Sequence, residues 1–80
     1  MRKIIRDFVA GHEAFLDLIE REASLLQVGD SLIICGPRTV DVSNEASDRF
    51  QRMGRILNVE IQSENHPTDC DRTIFQVFKI

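Results

Sequence analysis

The amino-acid sequence predicts an α/β protein, an α+β two-layer sandwich of order β-α-β-α-β-β, in which two helices cover one face of a four-stranded mixed sheet. Three observations predict this fold. A segment with helical spacing leads through Val28-Gly29-Asp30 into an apolar run, a second helical segment follows, and two strand-like segments close the chain. Eighty residues are enough for one domain, 1–80, and no internal repeat or linker divides them.

The first two elements are predicted to be a strand and a helix. Lys3 to Val9 mixes β-branched and aromatic residues, which favours a strand. From Glu13 to Gln27 the apolar residues recur at the three-and-four spacing of one helix face. Glu13 lies in the first turn, where a negative charge suits the positive end of the helix dipole.

The second strand is predicted over Ser31 to Cys35. Its apolar residues do not alternate with polar ones, which indicates burial on both faces, or on one face plus a covered edge. Gly36-Pro37 is expected to end this strand, because proline cannot donate a hydrogen bond to a ladder.

The second half of the chain predicts one helix and two strands. The helix runs from about Ser43 to Met53, with Gly54 as its C-cap. Leu57 to Gln62 alternates apolar and polar residues, as a strand with one buried face does. A polar loop follows, and Arg72 to Ile80 forms the last strand.

Composition and charge narrow the classes of function. The net charge of −3 weighs against attraction of the whole surface to nucleic acid or to an anionic membrane. Eight of the ten basic residues are arginine, which favours two-pronged contacts with carboxylate or phosphate, so a local anion-binding face stays open. Two cysteines are too few for a disulfide scaffold, and no signal peptide or long apolar run is visible. We therefore expect a cytoplasmic protein with two reduced thiols.

The order of elements and one phrase resemble a known family. Gln27 to Ile34, QVGDSLII, resembles the end of the first helix and the second strand of the SirA/TusA/YedF family of small sulfur-carrier proteins. Pro37, Thr39 and the cap at Asp41 to Ser43 stand where that family has similar residues, and Arg72 to Lys79 resembles its final strand. The resemblance implies the βαβαββ fold over nearly the whole chain.

The chain departs from that family at the residue that carries its chemistry. The family has Cys-Pro-x-Pro at the start of the first helix, where the cysteine holds a persulfide and the helix N-terminus stabilises its charge. Gly11-His12-Glu13-Ala14 stands there instead. The resemblance therefore implies a divergent member: a sulfur-relay component in which Cys35 takes over as acceptor, or a binding module on the same scaffold. Classical catalytic activity and a cofactor are not predicted.

A binding module would use basic side chains to meet an anionic ligand or a protein partner. Arg49, Arg52 and Arg55 recur at every third residue of the second helix, although a solvated helix face is the usual explanation of such charges. His12 could donate to an anion at the start of the first helix. The predicted ligand-binding residues are His12, Glu13, Arg38, Arg49, Arg52 and Arg55.

Two alternatives come from other classes of function. Asp71 to Phe78 resembles the end of the Alba family of nucleic-acid-binding proteins, and the arginine-bearing helix would serve such a protein. That family has lysines after its first strand, whereas Ala10-Gly11-His12-Glu13 has none. The other alternative is a small homodimeric interaction domain, in which the apolar last strand pairs with a partner if it lies at the sheet edge.

Neither the cysteines nor the histidines predict a metal site. Cys70 lies between Asp69 and Asp71, whose charges disfavour its thiolate. The spacings among the histidines and cysteines match no known zinc pattern. These residues are His12, Cys35, His66 and Cys70.

Overall fold

The structure, a computed structural model, describes residues 2–80 and has the predicted order of strands and long helices, with one additional short helix. A one-turn helix precedes the second long helix. The elements are β1 (Lys3–Arg6), α1 (His12–Ser24), β2 (Ser31–Pro37), α2 (Arg38–Asp41), α3 (Asn44–Leu57), β3 (Val59–Asn65) and β4 (Arg72–Lys79). The predicted α+β sandwich with a four-stranded mixed sheet is confirmed.

The strands are arranged in the order β1-β2-β4-β3. β1 runs parallel to β2, whereas β4 is antiparallel to both β2 and β3. The last strand is therefore central, and the edges of the sheet are β1 and β3. Since both edges of β4 are already paired, the edge pairing considered for it in a homodimer is not open.

The hydrophobic core lies between the sheet and the helices. The Phe75 ring on β4 packs against Phe15 of α1, with ring centroids 5.1 Å apart, and against Phe50 of α3, at 5.6 Å. Both long helices thus cover the same face of the sheet. The buried core residues are Phe15, Leu16, Ile19, Ala23, Leu26, Leu32, Ile34, Val40, Ala46, Met53, Val59, Phe75 and Val77. None of the helices in residues 2–80 has the length and apolar character needed to cross a membrane.

Strand β2 corrects two predictions. Leu32, Ile34 and Gly36 are buried, whereas Ile33 and Cys35 are only half-buried, so the strand is not covered on both faces. The reason is that the helices cover one face only, which makes a run of apolar residues alternate in exposure. The strand also continues through Gly36 and Pro37, which lie opposite Thr73 and Arg72 of β4. Proline fits because it is the terminal residue of the strand.

Several predicted boundaries also shift. β1 ends at Arg6 rather than Val9, and α1 ends at Ser24 rather than Gln27. The prediction that Gly54 caps the second helix is wrong, because α3 continues to Leu57 and is capped by Asn58, whose φ of 59° is left-handed. Ser43 does cap the start of α3, where its hydroxyl accepts a hydrogen bond from the Ala46 N–H at 3.3 Å.

The Asp30 carboxylate joins the start of β1 to the turn between α1 and β2. Its side chain is 4% exposed and accepts hydrogen bonds from the Arg2 N–H at 2.9 Å and the Gln27 N–H at 3.0 Å. The Arg2 guanidinium adds an ion pair at 3.1 Å. The Gln27 hydrogen bond, together with the Arg2 contacts, outweighs desolvation and lowers the pKa of Asp30 below its ordinary value.

Replacing Asp30 with asparagine is expected to lower the stability of the fold at neutral pH. A carboxyl whose pKa is lowered by folding stabilises the folded state above its unfolded pKa, and that contribution is lost as the pH falls through the folded pKa. The difference between wild type and Asp30→Asn should therefore be largest at neutral pH and shrink below about pH 4. Urea denaturation across this range measures it, and a difference that does not change with pH would contradict the role given to the charge.

Gly36 allows the closest approach between α1 and the sheet. A Cβ built at Gly36 would lie 2.6 Å from Cε2 and 2.7 Å from Cδ2 of the Phe15 ring. Phe15 is itself fully buried against Phe75, so the ring cannot move aside without displacing other core residues.

Gly36→Ala is therefore expected to destabilise the fold by about 1–3 kcal/mol, as overpacked cores do. The matched control is Gly11→Ala, where the added Cβ would meet the Ala14 Cβ at an ordinary 3.4 Å. Urea denaturation of both variants measures the effect. Equal stability of the two variants would show that Phe15 adapts to the added methyl group.

Candidate functional site on the open sheet face

The sheet has one face that no helix covers, here called the open face. Side chains on a strand alternate between the two faces, so its members are those that alternate with the core residues. The pairing register arranges them in rows across the sheet. The rows are Lys3, Ser31, Phe78 and Glu60; then Ile5, Ile33, Gln76 and Gln62; then Cys35, Ile74 and Glu64; and finally Pro37 and Arg72.

The centre of the open face is mostly apolar. Ile33, Cys35, Ile74 and Phe78 are half-buried by their neighbours on the sheet, and Ile5 is 66% exposed on β1. Ile5 pairs with Ile33, Cys35 follows Ile33 on the same face of β2 and pairs with Ile74, and Phe78 is the diagonal neighbour of Ile33. The five residues therefore form one patch, which Gln76 interrupts between Ile74 and Phe78. Contiguous apolar patches of this kind on a small protein mark sites of contact with other molecules.

The two edges of the open face carry opposite charges. Lys3 lies at the β1 edge, whereas Glu60 and Glu64 lie at the β3 edge. All three side chains are exposed. Within residues 2–80 none of them forms an ion pair, and Glu60 accepts a hydrogen bond from the Gln62 amide at 3.4 Å. The charges at the edges are therefore available to a partner.

Arg72 closes one end of the open face. Its guanidinium carbon lies 4.0 Å from the centre of the Phe8 ring, and its Nε is 3.1 Å from an Asp69 carboxylate oxygen. Beyond it, the Arg38 N–H donates to the Asp71 carbonyl at 2.9 Å, and the Arg38 guanidinium donates to the Cys70 carbonyl at 3.4 Å. Arg38, predicted to bind a ligand, thus holds the β3–β4 loop.

Cys35, the predicted sulfur acceptor, lies on the open face beside Ile74. Burial raises the pKa of its thiol above the ordinary value; the Arg72 charge acts in the opposite direction, and the Asp69 charge adds to the rise. A raised pKa leaves less of the thiolate, which is the reactive form. The position suits packing better than nucleophilic chemistry.

The predicted ligand-binding residues of the helices lie on the other side of the sheet from Cys35. Arg49 is 16% exposed and forms ion pairs with Asp17 at 3.1 Å and Glu20 at 2.9 Å, so it joins α3 to α1. Arg52 and Arg55 are exposed on α3. The structure therefore does not bring Cys35 and these arginines together.

The start of α1 carries the two remaining predicted residues. His12 is half-buried, and its Nε2 is enclosed without a hydrogen-bond partner among residues 2–80. Glu13 is exposed in the first turn.

His66 contributes to the shape of the β3–β4 loop. Its Nδ1 accepts hydrogen bonds from the Thr68 and Asp69 N–H groups. Over residues 2–80, no three potential metal-ligating side chains come together.

A surface groove lies between the helices and β3. This groove, of about 310 Å³, has Phe50, Ile61 and Phe75 along its floor. The Ser63 hydroxyl donates to the Asp41 carboxylate at 2.8 Å across its rim. The carboxylate at the rim is thus already paired with Ser63, and the groove lacks the converging charges of a ligand site.

Sequence reasoning missed the open face as a site. The signal was present, because two helices cover only one face of four strands, and every second residue of β2 and β4 must then face the other way.

Comparison with protein-family models, with curated proteins and with solved structures finds no match to this chain.

The two cysteines should differ in reactivity. Cys70 is exposed, whereas Cys35 is half-buried and has a raised pKa. We expect iodoacetamide at mildly alkaline pH to alkylate Cys70 several-fold faster than Cys35, as measured by mass spectrometry of the peptides. Unfolding in urea is the control and should abolish the difference. Equal rates in the folded protein would contradict the environment described for Cys35.

Proposed function

We propose that this chain is a protein-interaction module that binds a partner protein through the open face of its sheet. The proposal corresponds to the binding-module form of the TusA-like prediction. The single observation that carries it is the contiguous apolar patch of Ile5, Ile33, Cys35, Ile74 and Phe78 on a face that no element of residues 2–80 covers.

Physical reasoning supports a contact surface rather than a solvated one. An antiparallel sheet face that meets only water usually carries polar side chains at its outward positions. Here β2 and β4, the two central strands, place mostly apolar side chains outward, and charges stand at the edges. An apolar centre with a polar rim is the usual arrangement of a protein–protein interface.

The sulfur-relay and nucleic-acid-binding functions remain predictions. The first requires a reactive thiolate at Cys35, and the raised pKa of that thiol does not favour it. The second depends on the arginines of α3, of which Arg49 is occupied by Asp17 and Glu20. We further propose that the protein acts in the cytoplasm, which would keep its two free cysteines reduced.

Photo-crosslinking tests the interaction surface. Phe78 on the open face is replaced with p-benzoylphenylalanine, and Ile56, which is 71% exposed on α3, is replaced in a matched control. The purified chain alone and the chain in extracts of the expressing cells are then illuminated. We expect covalent protein adducts from position 78 and none from position 56. Adducts from position 56 alone, or from neither position, would overturn the proposed surface.

A further inference from the structure

The strand register places oppositely charged side chains at equivalent positions on the two edges of the open face. The midline of the sheet falls between β2 and β4, and each side of it has one central and one edge strand. Lys3 on β1 and Glu60 on β3 lie in the same row, because both align with the pair of Ser31 and Phe78. They therefore stand at equal distances on opposite sides of the midline, with opposite charges.

We propose, resting on the proposed function, that the partner on the open face is a second copy of this chain, related by a two-fold axis parallel to the strands. Such an axis along the midline places β1 of one copy over β3 of the other and keeps each row in register. Lys3 then faces Glu60 of the second copy, and the symmetry makes this contact twice. A surface that is complementary to itself in this way is the requirement for a two-fold dimer.

The central strands contribute both apolar and mixed contacts in this arrangement. β2 of each copy lies over β4 of the other, so Cys35 faces Ile74 of the second copy, whereas Ile33 faces its Gln76 and Ser31 faces its Phe78. Packed sheets stand about 10 Å apart, a gap that side chains from both faces fill. The same spacing lets lysine and glutamate side chains reach each other at the edges.

Charge selects this axis over the other aligned arrangement. Sheets that pack face to face either keep their strands within about 30° of each other or cross them near 90°; in the aligned class a two-fold axis lies close to parallel or close to perpendicular to the strands. A perpendicular axis would place β3 over β3 and bring Glu60 against Glu64 of the second copy, twice. Like charges that face each other oppose association.

The size and polarity of the face indicate a reversible dimer. Four strands about 4.8 Å apart, with about five residues each, present a footprint of roughly 300 Å² per copy, well below the about 800 Å² per partner of a standard interface and in the range of weak, transient contacts. Gln76 also places a polar side chain near the centre of the face, unlike the more apolar centres of obligate dimers. Association should therefore depend on protein concentration.

Charge reversal with complementation tests the arrangement. Sedimentation equilibrium from low micromolar to millimolar concentration measures the dissociation constant of wild type, Lys3→Glu, Glu60→Lys and an equimolar mixture of the two variants. Lys3→Glu places a glutamate at both edges of this row, and Glu60→Lys places a lysine at both. We expect each variant alone to dimerise about tenfold more weakly or worse, and the mixture to recover wild-type affinity, because its mixed dimer has two attractive pairs.

The controls carry the same charge changes on the helical side of the molecule. Arg21→Glu on α1 and Asp48→Lys on α3 replace exposed residues and should leave the dissociation constant unchanged. Circular dichroism verifies that all four variants are folded.

Two results would overturn the inference. One is a wild-type chain that stays monomeric at every concentration, and the other is a mixture that associates as weakly as the single variants. Neither result decides the proposed function. An adduct at position 78 with a protein of different mass would still support an interaction module, whereas the absence of any adduct would remove the module itself.

Discussion

The Asp30 carboxylate holds together three parts of the chain that are distant in sequence. Its oxygens bind the backbone of Arg2 and Gln27, and thereby fix the start of β1 against the turn that follows α1. The backbone of the same residue accepts a hydrogen bond from the Lys79 N–H at the end of β4. The ends of β1, β2 and β4 are thus joined by the contacts of a single residue.

One-sided coverage of the sheet is the second constraint, and it determines where function can reside. α1 and α3 pack on the face that carries Phe75, and their mutual contact is fixed by the ion pairs of Arg49 with Asp17 and Glu20. The charged residues between the two helices, Arg49, Asp17 and Glu20, therefore serve to hold the fold together. The opposite face keeps apolar side chains at the outward positions of β2 and β4, and it is there that a partner gains most from contact.

The proposed dimer combines these two constraints. The strand pairings place Lys3 in the row of Glu60, and the absence of helices on the open face leaves both side chains free of ion pairs within residues 2–80. The apolar centre supplies affinity, whereas the edge charges determine the orientation of the partner. In the proposed dimer Cys35 packs against the second copy and has no chemical role, which agrees with its half-buried position and the raised pKa of its thiol.

The sequence by itself determined the order of the four strands and two long helices and the fold class, because hydrophobic periodicity is a local property of the chain. It did not determine the strand order β1-β2-β4-β3, the contact of Gly36 with Phe15 or the pairing of Arg49 with α1. Each of these joins residues far apart in sequence, and no local signal encodes which distant segment becomes a neighbour. The candidate site belongs to the same class: the apolar residues of β2 and β4 were visible in the sequence, but only the packing of both helices on one face left half of them open to a partner.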